Sequence, residues 1–240
     1  MLRVNWGYIK VLILLVLVGV LYAFTNARNS YRVIDKPMVE FTSTTNLFLT
    51  HENVSKLLIQ NPKGLQNDNK EIIDLNQLES ALNSNPMIKN AEVYMSVNGQ
   101  LSAEIEQKRP IARVHTNASY YIDDEGVYMP LSANYSARVP LVTGMVYKTK
   151  LDKIFKVAKK VDEDEFLKQH VIEIHQNDDE SIDLRLRMYD FNIQVGDLSK
   201  LEKKINNFKA FYKKATKDRT LNTFSSVNLR FDNQVICTKK

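Results

Sequence analysis

The residues of this chain best suited to chemistry are its four histidines, its single cysteine and one tight run of acids, and each sits where chemistry is hard to perform. His170 and His175 stand five positions apart in a segment that reads as a strand. Side chains at that spacing on a strand leave by opposite faces, so the pair does not converge on a metal ion. Asp123, Asp124 and Glu125 run into Gly126, a turn composition. Adjacent turn positions do not flank a pocket as an acid–base pair must. Cys237 has no second cysteine to pair with, reads as a small buried hydrophobe, and the sequence identifies no basic partner that would make it a nucleophile. A glycine-rich phosphate loop and a nucleophile elbow are both missing. The chemistry-bearing residues therefore predict no catalytic site, no metal site and no cofactor. The lysines at 200, 203, 204, 209, 213, 214 and 217 surround an apolar stripe and read as a solvated helix face. The alternative is a surface that meets an acidic partner or anionic headgroups.

The elements that carry these residues begin with an anchor. No residue between Lys10 and Arg28 is charged, and VLILLVLVGVLYAFTNA as a helix reaches about 26 Å against a hydrocarbon core of about 30 Å. Trp6 and Tyr8 suit a membrane interface, and Lys10 can snorkel to it. An uncleaved membrane anchor is expected rather than a signal peptide, because the apolar run is long and the small residues Thr25 and Ala27 make a poor cleavage site. Basic residues flank the run on both sides, so charge does not orient it. The net charge of +5, with neither basic–aromatic interleaving nor a known motif, gives no reason to expect a nucleic-acid partner.

Beyond a polar linker the patterns alternate between helix and strand. Met38–Phe41 reads as a strand. Thr50 caps a helix from His51 with Val54, Leu57 and Leu58 inward. The turn residues Asn61-Pro62-Lys63-Gly64 follow. Asp74 opens a second helix whose Leu75, Leu78 and Leu82 form one stripe, ended at Asn85-Pro86. Two strands then join through Asn98-Gly99, a strong hairpin signal. Leu78, Leu82, Val93 and Ile105 are expected in one core. From His115 the chain reads as a hairpin at 120–129, a short connection at 140–144 and a helix at 151–161. Strands at 171–175, 182–188 and 191–195 follow, then a long helix at 198–215 and strands at 226–231 and 235–238. The fold class is α+β.

This order resembles the FtsQ/DivIB family of bacterial cell-division proteins. Residues 38–113 look like that family's POTRA domain, a strand-helix-helix-strand-strand module, with LNQLESALNSNPMIKNAEVYMSVNGQLSAEIEQKRPIARV as the telling stretch. YYIDDEGVYMP, the segment Val139–Gly144 and Val227–Asp232 are similar to later motifs of the family. Two departures stand out. Asn228 takes the place of an aspartate, and Gln107-Lys108 that of a Glu-Arg pair.

The resemblance implies a cytoplasmic tail at 1–10, a transmembrane helix at 11–27, a linker at 28–37, a POTRA-like domain at 38–113 and a β-rich partner-binding domain at 114–240. It places both domains outside the cytoplasmic (inner) membrane, concentrated at the septum. It implies a scaffold with no enzymatic activity that binds FtsB (DivIC)- and FtsL-like proteins, alongside other divisome membrane proteins, and so recruits and regulates septal peptidoglycan synthesis. The matching positions for partner binding are Arg230, Phe231, Asn233, Val235, Ile236, Cys237 and Thr238, on a terminal strand expected to be an open edge. Phe231 is alternatively a core residue in line with Val227 and Leu229. Two other functions compete: a POTRA-containing envelope assembly or secretion module, and an anchored envelope hydrolase.

Overall fold

The computed structural model describes residues 6–30, 37–42, 48–60, 73–97, 99–116 and 118–240. Helix α1 (Trp6–Ser30) is apolar over Trp6–Thr25, and none of that stretch is buried against the rest of the protein. It is long and apolar enough to cross a membrane. It overruns the span expected at 11–27 on both sides, taking in residues of the expected tail and of the linker. Helical hydrogen bonding does not stop where hydrophobicity does. Thr25 shows the reason, because its hydroxyl bonds back to the Leu21 and Tyr22 carbonyls at 2.8 and 2.9 Å and so stays compatible with the helix.

Two compact units follow, divided at Glu106/Gln107. The smaller contains β1 (Met38–Phe41), α2 (His51–Ile59), α3 (Leu75–Asn83), β2 (Ile88–Met95) and most of β3 (Leu101–Gln107). The sheet order is β1-β3-β2, with β1 parallel to β3 and Phe41 opposite Ile105. Both helices start on side-chain caps, Thr50 accepting from the Asn53 amide and Asp74 from that of Gln77. Val54 and Leu58, one turn apart, are buried with Leu78, Leu82, Val93 and Ile105. Leu57, expected inward, is 40% exposed, because an apolar stripe of one turn's spacing leaves its neighbour facing out. The Asn83 side chain bonds both the amide and the carbonyl of Ala91, fixing the end of α3 to β2. The turn expected at 61–64 and Asn98 lie outside the described residues.

The larger unit is built on a nine-stranded sheet. Its elements are β4 (Pro110–His115), β5 (Ser119–Asp123), β6 (Tyr128–Met129), β7 (Leu141–Gly144), α4 (Asp152–Glu163), α5 (Glu165–His170), β8 (Val171–Gln176), β9 (Ile182–Leu186), β10 (Asn192–Gly196), α6 (Leu201–Lys217), β11 (Phe224–Asn228) and β12 (Ile236–Lys239). The order across the sheet is β12-β11-β10-β9-β8-β7-β4-β5-β6. Of the parallel neighbours, β7/β8 and β10/β11 are joined through helices, and β4/β7 through β5 and β6. Ile154, Val157, Leu167, Ile205 and Phe208 from these helices share one buried cluster with Val142, Ile174, Leu184, Ile193 and Val227 from the strands.

Several expectations change. Residues 141–144 are a central strand rather than a connection, paired in parallel with both β4 and β8. Four residues carry too little pattern to announce a strand, and its neighbours make it one. The domain boundary expected after residue 113 falls inside β4, which pairs with β5 and β7. His170 ends a helix and stacks on Phe166 rather than lying on a strand. Helix α6 starts at Leu201 because Lys200 adopts a left-handed conformation, φ 52°.

One piece of the larger unit comes from far upstream. Phe48 and Leu49 belong to it. Their amides donate to the Gln107 Oε1 at 3.2 and 3.0 Å. The Phe48 carbonyl accepts from the Ser132 hydroxyl and the Asn134 amide, and its ring meets Tyr121 and Tyr135 edge-on.

Candidate functional site

The residues singled out for chemistry are spent on structure. His51 contacts the Val39 carbonyl, His115 the Ser119 hydroxyl and His175 the Thr143 hydroxyl, at 2.7 to 2.9 Å. Among the described residues no group of three or more His, Cys, Asp or Glu side chains is placed to share a metal ion. Asp123 is 1% exposed and accepts from the Glu125 and Val127 amides and from Lys108, so it forms the β5–β6 turn from inside. Arg109 reaches from Asp124 on that turn to Asp162 on α4. Burial works against charge on Asp162, yet Lys168 and Arg109 outweigh it and hold the carboxyl below the ordinary range.

The residues singled out for binding cluster at the other end of the sheet. Strand β11 stops at Asn228 instead of running to Phe231. The Asn228 side chain accepts from the Arg230 amide at 2.9 Å and so turns the chain out of the ladder. An aspartate would accept in the same way, so the departure at this position costs no bond. Val227 and Leu229 are buried at 0% and 1%, whereas Phe231 is 47% exposed in the turn that follows, away from their core. Helix α6 holds that turn: Lys200 pairs with Asp232, Lys203 bonds the Asn233 side chain at 2.9 Å, and Asn207 bonds the Asp232 carbonyl.

The chain returns as β12, antiparallel to β11, with Cys237 opposite Val227 and Ile236 opposite Asn228. Val235 and Cys237 are half-buried against the core, and Ile236 and Thr238 face outward. Burial pushes the Cys237 thiol up, consistent with a packed rather than a reactive sulfur. The far edge of β12 pairs with no strand among the described residues.

Arg230 lies over the end of β10, on the other side of β11 from this edge. Its aliphatic stem crosses Gly196, φ +74°, where a Cβ would come within 2.8 Å of the Arg230 Cγ. The guanidinium makes no salt bridge among the described residues, and it adds at longer range to the Ser181 bonds that keep Asp179 ionised. Lys204, one of the seven helix lysines, is only 3% exposed. Its ammonium is spent on the Val195 and Asp197 carbonyls and the Asp197 carboxylate, at 2.7 to 3.1 Å. Bonds from Lys204 and Ser199 lower Asp197 to about 2. The sequence reading missed this lysine, although its place one residue before Ile205 sets it on the edge of the apolar stripe.

An apolar N-terminal helix, a strand-helix-helix-strand-strand unit and a mixed nine-stranded sheet define a POTRA-type protein with a β-rich extension. Residues 41–106 match the model of the POTRA-like domain, and residues 109–238 match that of the FtsQ/DivIB, C-terminal related domain. The second match spans more than half of the chain, and the chain belongs to the FtsQ/DivIB family of cell-division proteins. A search of curated proteins found no match.

Proposed function

We propose that this chain is a non-enzymatic scaffold of the bacterial division machinery, anchored in the cytoplasmic membrane by α1. Its two domains stand outside the membrane, and β12 recruits an FtsB (DivIC)-like partner that comes with an FtsL-like protein. Through these partners it recruits and regulates septal peptidoglycan synthesis. The observation that carries the reading is the unpaired edge of β12. Free N–H and C=O groups there can take another strand, while the outward Ile236 and Thr238 supply alternate side chains for specificity. Phe231 offers an exposed aromatic anchor and Arg230 a guanidinium for a partner carboxylate, the two residue types most enriched at interface hot spots.

Binding of the FtsB-like partner to the full-length chain in nanodiscs tests this. Phe231→Ala and Arg230→Glu are each expected to weaken it by about 1 kcal/mol or more with the melting temperature kept. Equal affinity for both variants and the native chain would remove the terminal-strand mechanism. Protease digestion of spheroplasts checks the orientation, and protection of the larger unit would reverse it. A fluorescent fusion spread evenly over the envelope, with no mid-cell band, would count against septal recruitment.

A further inference from the structure

The turn between β2 and β3 carries apolar side chains with nothing over them. Val97 is fully exposed, and Tyr94 and Met95 before it are 42% and 40% exposed. None of the residues from Val93 to Ala103 is charged; the nearest charges are Glu92 and Glu104. A soluble turn normally carries polar or charged side chains at its tip, and a valine there gains nothing from water.

The backbone of the turn is largely closed on itself. The Ser96 amide and hydroxyl both donate to the Gln100 carbonyl, at 3.0 and 2.9 Å, and the Gly99 amide donates to the Ser96 carbonyl at 2.8 Å. Taking this turn out of water therefore leaves few peptide groups unpaired and no charge to desolvate. Behind the tip, the Tyr94 hydroxyl donates to the Glu104 carboxylate at 3.1 Å. An aromatic ring with its polar end held toward water is the side chain that suits a membrane interface.

The strand register places this tip near the membrane exit of the chain. Strand β1 is parallel to β3, with Met38 opposite Ser102, so β1 starts at the turn end of the sheet. Met38 is itself 47% exposed. It stands eight residues beyond Ser30, the last residue of α1, a separation of at most about 28 Å. The connecting sequence carries Arg28, Arg32 and Lys36 against Asp35, a basic balance attracted to anionic headgroups. A tether this short holds the tip at high effective concentration beside the bilayer, where a small apolar surface suffices. We infer that the β2–β3 turn rests on the membrane that α1 spans, with Val97 and Met95 in its interfacial layer. The inference rests on the anchor reading above, and it holds whichever face of the membrane the domains occupy.

The experiment puts a nitroxide at position 95, as Met95→Cys in a Cys237→Ser background, on the full-length chain in phosphatidylcholine nanodiscs. Collisions with oxygen, which enriches in lipid, are compared with collisions with a nickel chelate, which stays in water. Labels at Leu17 and Asn222 set the lipid and water limits. The label at 95 is expected to behave like that at Leu17, with nickel shut out. Adding Val97→Asp is expected to restore nickel access without moving the melting temperature, because Val97 contributes nothing to the core. A label at 95 as open to nickel as one at Asn222 overturns the inference and leaves the tip to a protein partner. Shielding that survives Val97→Asp overturns it too, by tracing the protection to the domain itself. Nickel access at Leu17 would remove the anchor and the inference together, whereas a shielded Leu17 beside an open 95 removes the inference alone.

Discussion

The nine-stranded sheet meets solvent along two outer strands, and they are finished in opposite ways. Strand β6 has two residues paired to β5, one of them the fully buried Met129, and Pro130 follows at once. Proline offers no N–H, and a two-residue strand has little edge to offer, so pairing stops there. Strand β12 is longer, packs Cys237 from its inner face with Val235 just before it, and leaves Ile236, Thr238 and Lys239 exposed. A terminal lysine discourages indiscriminate pairing without forbidding it. One edge is closed by its own chemistry, and the other keeps the alternation that a specific partner strand would read.

The largest expected effect comes from the closed side. Met129→Ala should lower stability by about 2–5 kcal/mol in urea denaturation, yet leave partner affinity per folded molecule unchanged. If affinity fell in step, the two edges would not be independent. Next, Ile236→Pro should weaken partner binding at least about tenfold while stability moves by less than about 1 kcal/mol, because the lost donor is on an edge. A large loss of stability instead would mean that β12 is part of the core. The smallest effect is a response to acid on the β12 side of the sheet. Asp197 is depressed to about 2 in the folded chain from an ordinary 3.8. Its contribution is therefore complete above about pH 4 and lost as pH falls through about 2. Asp197→Asn should lower the melting temperature at neutral pH by roughly 1–2 °C, a difference that closes as pH approaches 2. A gap that persists at pH 2 would place the effect elsewhere.

What was legible in the sequence follows from period and capping. The leucine stripe of α3 repeats one signal several times, Asp74 caps it, and both appear where expected. What was missed depends on single contacts between distant residues. Nothing in Arg109-Pro110-Ile111-Ala112 announces a strand until β5 and β7 flank it. The end of β11 is set by one side-chain bond to Asn228, so residues 229–231, Phe231 among them, leave the strand. The candidate binding residues were legible as a cluster near the terminus. Which of them face outward was decided by that bond and by the pairing of β12.

The upstream insertion of Phe48 and Leu49 bears on the order in which the chain assembles. The Leu49 amide reaches the Gln107 side chain across 58 positions of sequence, so the bond closes a large loop. Within the smaller unit, however, Phe41 lies directly opposite Ile105 on parallel strands. Once that sheet has formed, the two ends of the loop are already held a few residues from their meeting point. Shrinking an open loop from about 58 residues to about 10 lowers the entropic cost of closure by roughly 1–2 kcal/mol. Refolding of the larger unit should thus wait on the smaller one. A Leu82→Ala change, more than 20 positions upstream of the larger unit's first strand, should slow the recovery of tyrosine fluorescence from the larger unit.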